Sequence, residues 1–346
     1  MLLLIPGAGV AQTAPLPKVV VTEPATWLRA APSFVAGNSV AATNGQTYEV
    51  LARSTDGQWW QLNAGALGAA WLPADLGALI SGRIDAAPVV SASVTVTPTK
   101  TPAGRKVKPK TPAPFPPWVP VITPEQRARY QNAVAFGKDP VMFTVVGDCN
   151  SQPPVYVRRV ATGEFDGSRV EPRLQAMINR FSRSFTRVSL AAKGGFGTAA
   201  MLDPTWSDQG LCDVTQGPFA CEVRVSRASV IFIELGTGDQ LAWKDFEKNY
   251  RPLVAHALAK GVLPVLVTKA DDIETAEGAP SGAINDVIRR LAREYQVPLL
   301  DFHAASRGLP NNGLLDEGDK DFHLNDAGMY RHIEATLQTL HAITAP

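Results

Sequence analysis

From about Ile122 onward the chain alternates short apolar runs with amphipathic stretches, a pattern that a parallel sheet covered by helices on both faces satisfies and few other folds do. The apolar runs are Met142 to Val146, Val188 to Leu190, Val230 to Leu235, Val262 to Val267 and Val297 to Leu300. Between them Val170, Leu174, Met177, Ile178 and Phe181 recur at helical spacing, behind a capping box of Ser168 and Glu171 with Pro172 in the first turn. Trp243, Phe246, Tyr250, Leu253 and Val254 mark a second helix face, which Pro252 is expected to kink or divide and Gly261 to end. Ile284, Val287, Ile288, Leu291 and Tyr295 mark a third, and Met329, Ile333, Leu337 and Leu340 a fourth.

Ahead of this region the pattern differs. Val19 to Val21, Thr47 to Ala52 after Asn44-Gly45, and Trp59 to Leu62 after Asp56-Gly57 read as short strands between turns. With Trp27-Leu28-Arg29 and Ala70-Trp71-Leu72, this stretch resembles a bacterial SH3-like barrel over residues 18–82. Such modules often accompany secreted enzymes and bind wall or peptide ligands, so Trp27, Trp59, Trp60 and Trp71 are candidates for a ligand groove, with at least half of them expected in core or rim packing. Between Val96 and Pro120 stand eight prolines, five Lys or Arg and no acid. That composition is expected to form an extended basic tether, the whole spacer running over residues 83–121. Residues 1–15 open with an apolar stretch too short to span a bilayer and small residues at Gly9 and Ala11, as in a signal peptide, so export or association with the cell envelope is expected.

The chain's 346 residues, 45% hydrophobic and 19% charged, suffice for two folded units. A net charge of +1 gives no global reason to expect a nucleic-acid partner. In an oxidising compartment Cys212 and Cys221, which flank a short polar loop, are expected to pair, leaving Cys149 as the odd thiol. No Cys/His/Asp cluster has ligand spacing, so neither metal nor organic cofactor is implied.

Three blocks then carry the chemistry: Phe143-Thr-Val-Val-Gly147-Asp148-Cys149-Asn150-Ser151, Ile231-Phe-Ile-Glu-Leu-Gly236-Thr237-Gly238-Asp239, and Phe322-His323-Leu324-Asn325-Asp326-Ala327-Gly328. Together they resemble the SGNH, or GDSL, hydrolases from about Val141 to the C-terminus. The resemblance implies a three-layer α/β/α, flavodoxin-like domain over residues 122–346, and ester hydrolysis at the carboxyl ends of its strands. It also implies a nucleophile at Cys149, where the family has Ser, and a base at His323. Lys320 stands where the family has the orienting Asp, which leaves Asp321 or Asp319 for that role. The oxyanion donors would be the backbone N–H groups of Cys149 and Gly195, with Gly197 as the alternative to Gly195 in Lys193-Gly194-Gly195-Phe196-Gly197. Gly238 occupies the oxyanion position that the family fills with Asn, and so brings no amide. Ser151, two residues beyond the nucleophile's position, is an alternative nucleophile. Asp148 and Asp239 are expected to hold loop backbone. His256, His303, His332 and His341 are expected to be structural or on the surface.

The reading is therefore an exported hydrolase acting on ester bonds, its substrate an acylated carbohydrate or envelope polymer and its catalysis attenuated. A catalytically silent domain of the same fold that binds glycan or cell wall is the alternative.

Overall fold

The computed structural model describes residues 15–91, 113–153, 155–274, 278–316 and 322–345. The chain divides into two compact units at Val96/Thr97. The leader lies outside the described residues, as does most of the spacer.

The first unit is all strand: β1 (Lys18–Val21), β2 (Ala25–Arg29), β3 (Asn38–Thr43), β4 (Thr47–Ser54), β5 (Trp59–Asn63), β6 (Ala69–Pro73), β7 (Gly77–Ser81) and β8 (Val89–Val90). They join in the order β3-β2-β6-β5-β4-β1-β7, and every pair is antiparallel except β8 on β4. Alternate residues Val19 and Val21, with Leu28, Val50, Leu62 and Leu72, fill the core. Trp59 and Trp71 are core residues, Trp59 lying 4.7 Å from the Phe34 ring; Trp27 is exposed and Trp60 half-buried. Two of the four tryptophans are thus withdrawn from any groove. The unit runs on past residue 82 as far as Val90, because Arg53 and Ser54 pair with Val89 and Val90.

The second unit carries a parallel sheet of β9 (Asp139–Gly147), β10 (Ala228–Glu234), β11 (Leu263–Val267) and β12 (Leu299–Leu300), in the order β12-β11-β10-β9. A strand expected at Val188 to Leu190 is reduced to a single parallel bridge, Gly147 with Ala192, on the free side of β9. Its N–H groups are spent elsewhere: Leu190 donates to Glu222 and Ala191 to the Ser189 hydroxyl. The bridge keeps the flavodoxin-like order with β9 inside.

The helices are α1 (Pro124–Asn132), α2 (Arg158–Thr162), α3 (Pro172–Arg180), α4 (Ser182–Thr186), α5 (Thr198–Leu202), α6 (Pro218–Val225), α7 (Trp243–Ala259), α8 (Ala283–Glu294), α9 (Phe302–Ser306) and α10 (Asp326–Thr344). Val146, Ile231 and Ile233 face α6, α7 and α8 through Phe219, Phe246, Leu253, Ile284 and Ile288. The alternate residues Phe143 and Phe232 face the other way, where Phe181 and Phe185 meet the Phe143 ring edge-on at 5.7 and 5.4 Å. α10 packs beside α3 on that side. The expected spacer is shortened here too: Arg173 lies over Phe115, Arg331 over Trp118, and the Trp118 carbonyl accepts from Asp301 N–H.

Two local expectations are corrected. Ser168 and Glu171 form no capping box, because Asp166 takes both the N–H and the hydroxyl of Ser168. Pro252 does not divide α7, which runs unbroken; the proline lies on its exposed side, where water can serve the carbonyl that loses its partner. Cys212 and Cys221 are disulfide-bonded. Among the described residues no helix is long and apolar enough to cross a membrane.

Candidate active site

β9 ends at Gly147, and the chain turns at once through Asp148-Cys149-Asn150-Ser151. The turn is tight enough to require glycine: a Cβ on Gly147 would lie 2.4 Å from Ser151 Oγ and 2.9 Å from the Glu234 carbonyl. Asp148 is buried and fastens this turn to the loop after β10. One carboxylate oxygen accepts from Asn150 N–H at 3.2 Å, the other from Thr237 N–H at 2.9 Å and Gly238 N–H at 3.4 Å. Burial pushes the Asp148 carboxyl up to about 7, outweighing those three donors. Asp239 works similarly one loop away, accepting from the N–H and hydroxyl of Thr198 at the start of α5, and burial raises it as well.

Cys149 is half-buried, its sulfur 3.9 Å from Asp148 Oδ1. Burial first, and the Asp148 charge second, push its thiol up to about 12; the backbone N–H groups of Cys149 and Asn150 pull the other way and lose. An activated thiolate, which the nucleophile role would need, is therefore not what this environment favours at neutral pH. His323 comes to the same rim on a segment that Asn150 grips from both sides. Asn150 Nδ2 donates to the Phe322 carbonyl at 2.8 Å, and its Oδ1 accepts from Leu324 N–H at 3.0 Å. Leu315 N–H holds the His323 carbonyl at 2.8 Å, and Asn325 caps α10 immediately afterwards. One amide thus ties the backbone flanking the imidazole to the residue beside the thiol. Asp319, Lys320 and Asp321 lie outside the described residues.

The oxyanion positions are built differently from the expectation. Gly238 N–H points at Asp148 and is committed there. The missing Asn is more than an absent side chain, since a Cβ on Gly238 would lie 2.0 Å from the Phe196 carbonyl oxygen. The Lys193–Gly197 loop fills the place that an amide would take. Gly197 is close-packed to a lesser degree, 3.0 Å from Asp239 Oδ1 by the same measure, while Gly194 N–H is taken by the Gln152 side chain at 2.7 Å. Gly195, at φ +84°, is exposed with open space around it. Of the glycines considered, Gly195 alone has nothing within 4 Å of the place a Cβ would take.

Beneath the turn lies a buried polar chain that sequence reasoning missed. Ser151 Oγ donates to Glu234 Oε2 at 2.6 Å. The other oxygen of Glu234 is 3.2 Å from His332 Nε2, within ionic reach but misaligned for a hydrogen bond. The His332 ring is stacked between Tyr156 at 4.0 Å and Phe302 at 4.2 Å. These groups border a cavity of about 20 Å³, room for about one water and too small for an ester. Serine, carboxylate and imidazole meet here in the wrong order, because a triad needs the imidazole between the other two. Ser151 is thus bonded to a carboxylate and not to an imidazole, and of the two places expected for His332 the buried, structural one is found. Two signals could have revealed the chain: a charged residue ending a doubly covered strand, and a histidine on the apolar face of α10 that includes Met329 and Ile333. Ser151→Ala is expected to keep ester turnover within about twofold while costing about 1 to 3 kcal/mol, since buried Glu234 loses a donor. Urea unfolding and a steady-state assay on the same preparation test both halves.

Residues 156–331, just over half of the chain, match the model of the GDSL-like Lipase/Acylhydrolase family. The matched span holds Gly195, Gly238 and His323 and begins after Cys149. Similar solved structures include a catalytic mutant of an acetylxylan esterase from Geobacillus stearothermophilus, with 17% identity, TM-score 0.38, and coverage of 57% of this chain and 93% of that one. A member of the lipolytic protein G-D-S-L family from Veillonella parvula shares 16% identity with a TM-score of 0.34, covering 57% and 96%. A GDSL-like lipase from Bacteroides thetaiotaomicron shares 11% with a TM-score of 0.37, covering 62% and 98%. At these identities none of them says what this chain acts on. A comparison with the curated proteins gives no match.

Proposed function

The chain belongs to the GDSL-like lipase/acylhydrolase family, and on that premise we propose that it hydrolyses carboxylic esters slowly, with Cys149 as nucleophile and His323 as base. The observation that carries this reading is the Asn150 amide, which makes the thiol turn and the His323 segment one hydrogen-bonded unit. In the proposed cycle His323 takes the thiol proton as sulfur adds to the ester carbonyl. The tetrahedral oxyanion is met by the N–H groups of Cys149 and Gly195, and His323 returns the proton to the departing alkoxide. Water, deprotonated by His323, then attacks the thioester and releases the carboxylic acid and the thiol. Asp321 or Asp319 would orient the imidazole.

The substrate class proposed is an acylated carbohydrate or envelope polymer, reached by an exported protein. The all-strand unit is proposed as an SH3-like module for a wall or peptide ligand. What supports export is the apolar leader and the disulfide; what supports the module is the tryptophan-rich strand pattern with Trp27 left exposed.

A second reading, a glycan-binding domain without turnover, is favoured by two observations: the thiol held near 12 and the Asn position filled by backbone. Hydrolysis of p-nitrophenyl acetate by the wild type, Cys149→Ala, His323→Ala and Asn150→Ala separates the two. Loss of at least about tenfold in the first two variants, with a smaller loss in Asn150→Ala, is the expected result, because truncating groups that act together costs orders of magnitude in rate. Equal background rates in all four proteins would leave only the binding reading.

A further inference from the structure

The opposite rim of the second unit, where the strands begin, carries a groove of about 680 Å³, a volume typical of small-ligand sites. Phe136, Gly137 and Lys138 lead into β9, Arg224 and Arg227 into β10, and His256 and Lys260 into β11, and all of them line it. Its lining holds four Lys or Arg side chains and no acid. Arg224 is paired with Asp213 at 3.5 Å and Asp139 is held by Arg183, which leaves Lys138, Arg227 and Lys260 without an acidic partner among the described residues. Lys138 and Arg227 each donate to a backbone carbonyl, those of Val223 at 2.8 Å and Gly137 at 3.1 Å, which places the charges without cancelling them. The charges act on one another: after burial, Lys260 and Arg227 depress the Lys138 ammonium, and Lys260 and Lys138 depress His256. Arg227 sits at φ +51°, a conformation uncommon for a residue with a side chain and one that tends to mark function.

Beside these cations lies Phe136, 58% exposed. Its ring is seated on the bare backbone of Gly261, where a Cβ would fall 2.2 Å from Phe136 Cγ. A fixed, exposed aromatic face beside three cations that have no acidic partner among the described residues suits a ligand with a flat apolar face and negative groups along its edge. We infer that this groove binds a carboxylated oligosaccharide, one sugar ring lying on Phe136 and its carboxylates paired with Lys260, Lys138 and Arg227. The inference is independent of ester hydrolysis at the other rim.

Calorimetric titration of the full chain with trigalacturonate, maltotriose and inorganic phosphate at low salt tests it. Trigalacturonate is expected to bind, at least about fivefold more weakly to Phe136→Ala and about tenfold more weakly to Lys260→Glu, and to weaken as salt is added. Lys260→Gln, a milder exposed change, replaces the glutamate variant should that one melt early, and esterase rates should be unaffected in all of them. No binding of trigalacturonate by the wild type, equal affinity in the variants, or equal affinity for maltotriose would overturn the site. Phosphate bound as tightly as the trisaccharide would overturn its assignment to a sugar ligand.

Discussion

Alkylation of Cys149 by iodoacetamide is expected to accelerate about tenfold per pH unit from pH 7 to pH 10, about a thousandfold in all, with no plateau between. The reagent reacts with thiolate, and a thiol held near 12 exposes about one thiolate in 10⁵ molecules at pH 7. The readout is clean because the chain has three cysteines and the other two are joined in a disulfide. A cysteine activated by an imidazolium would behave oppositely, reacting at a nearly constant rate above neutrality. Ester turnover should climb with the same slope if the thiolate is the attacking species. Asp148→Asn should move the rise to lower pH, since the Asp148 charge is the second cause of the upward shift. A plateau below pH 9 in the wild type would show that His323 activates the sulfur, and the burial argument would fail.

Restoring the family's amide with Gly238→Asn is expected to damage the protein rather than improve it. The new Cβ would meet the Phe196 carbonyl oxygen at 2.0 Å, backbone against backbone, with no flexible side chain to yield. Overpacking costs about 1 to 3 kcal/mol where side chains can adjust, so about 3 kcal/mol or more is expected here, and Gly238→Ala should lose nearly as much. The displaced segment carries Gly195 and abuts Asp239, so the rim would loosen with it. Denaturant midpoints of the two variants measure the loss. An asparagine variant as stable as the wild type and faster on esters would mean that the Lys193–Gly197 loop swings aside, leaving a working oxyanion pocket.

The scaffold was legible because it depends on period and punctuation. The runs ending at Val146, Leu235 and Val267 became three sheet strands, and Asn325 caps the last helix at the place its sequence suggested. The misses came where side chains compete for backbone. Glu222 takes the Leu190 N–H that a strand at Val188 to Leu190 would need, Ser189 takes that of Ala191 just beyond it, and Asp166 takes Ser168 away from its cap. No periodicity records such long-range competition. Within the site, the sequence identifies which residues depart from the family but not what fills the gap. Gly238 reads as an amide lost, whereas the fold shows a neighbouring carbonyl moved in. Likewise Glu234 and His332 are 98 positions apart and meet only because α10 returns across the end of β10.

The shrunken second strand has one more consequence. Along its outer side β9 spends its bonds without a full ladder: Phe143 N–H on the Ser184 hydroxyl, and the N–H and C=O of Gly147 on Ala191 and Lys193 in the single bridge. A sheet margin stoppered in this way presents few open groups to a stranger's strand, which is how proteins guard against fusing edge to edge into aggregates. At Phe143 and Gly147, then, the margin is closed to an incoming strand without a full fifth strand to cover it.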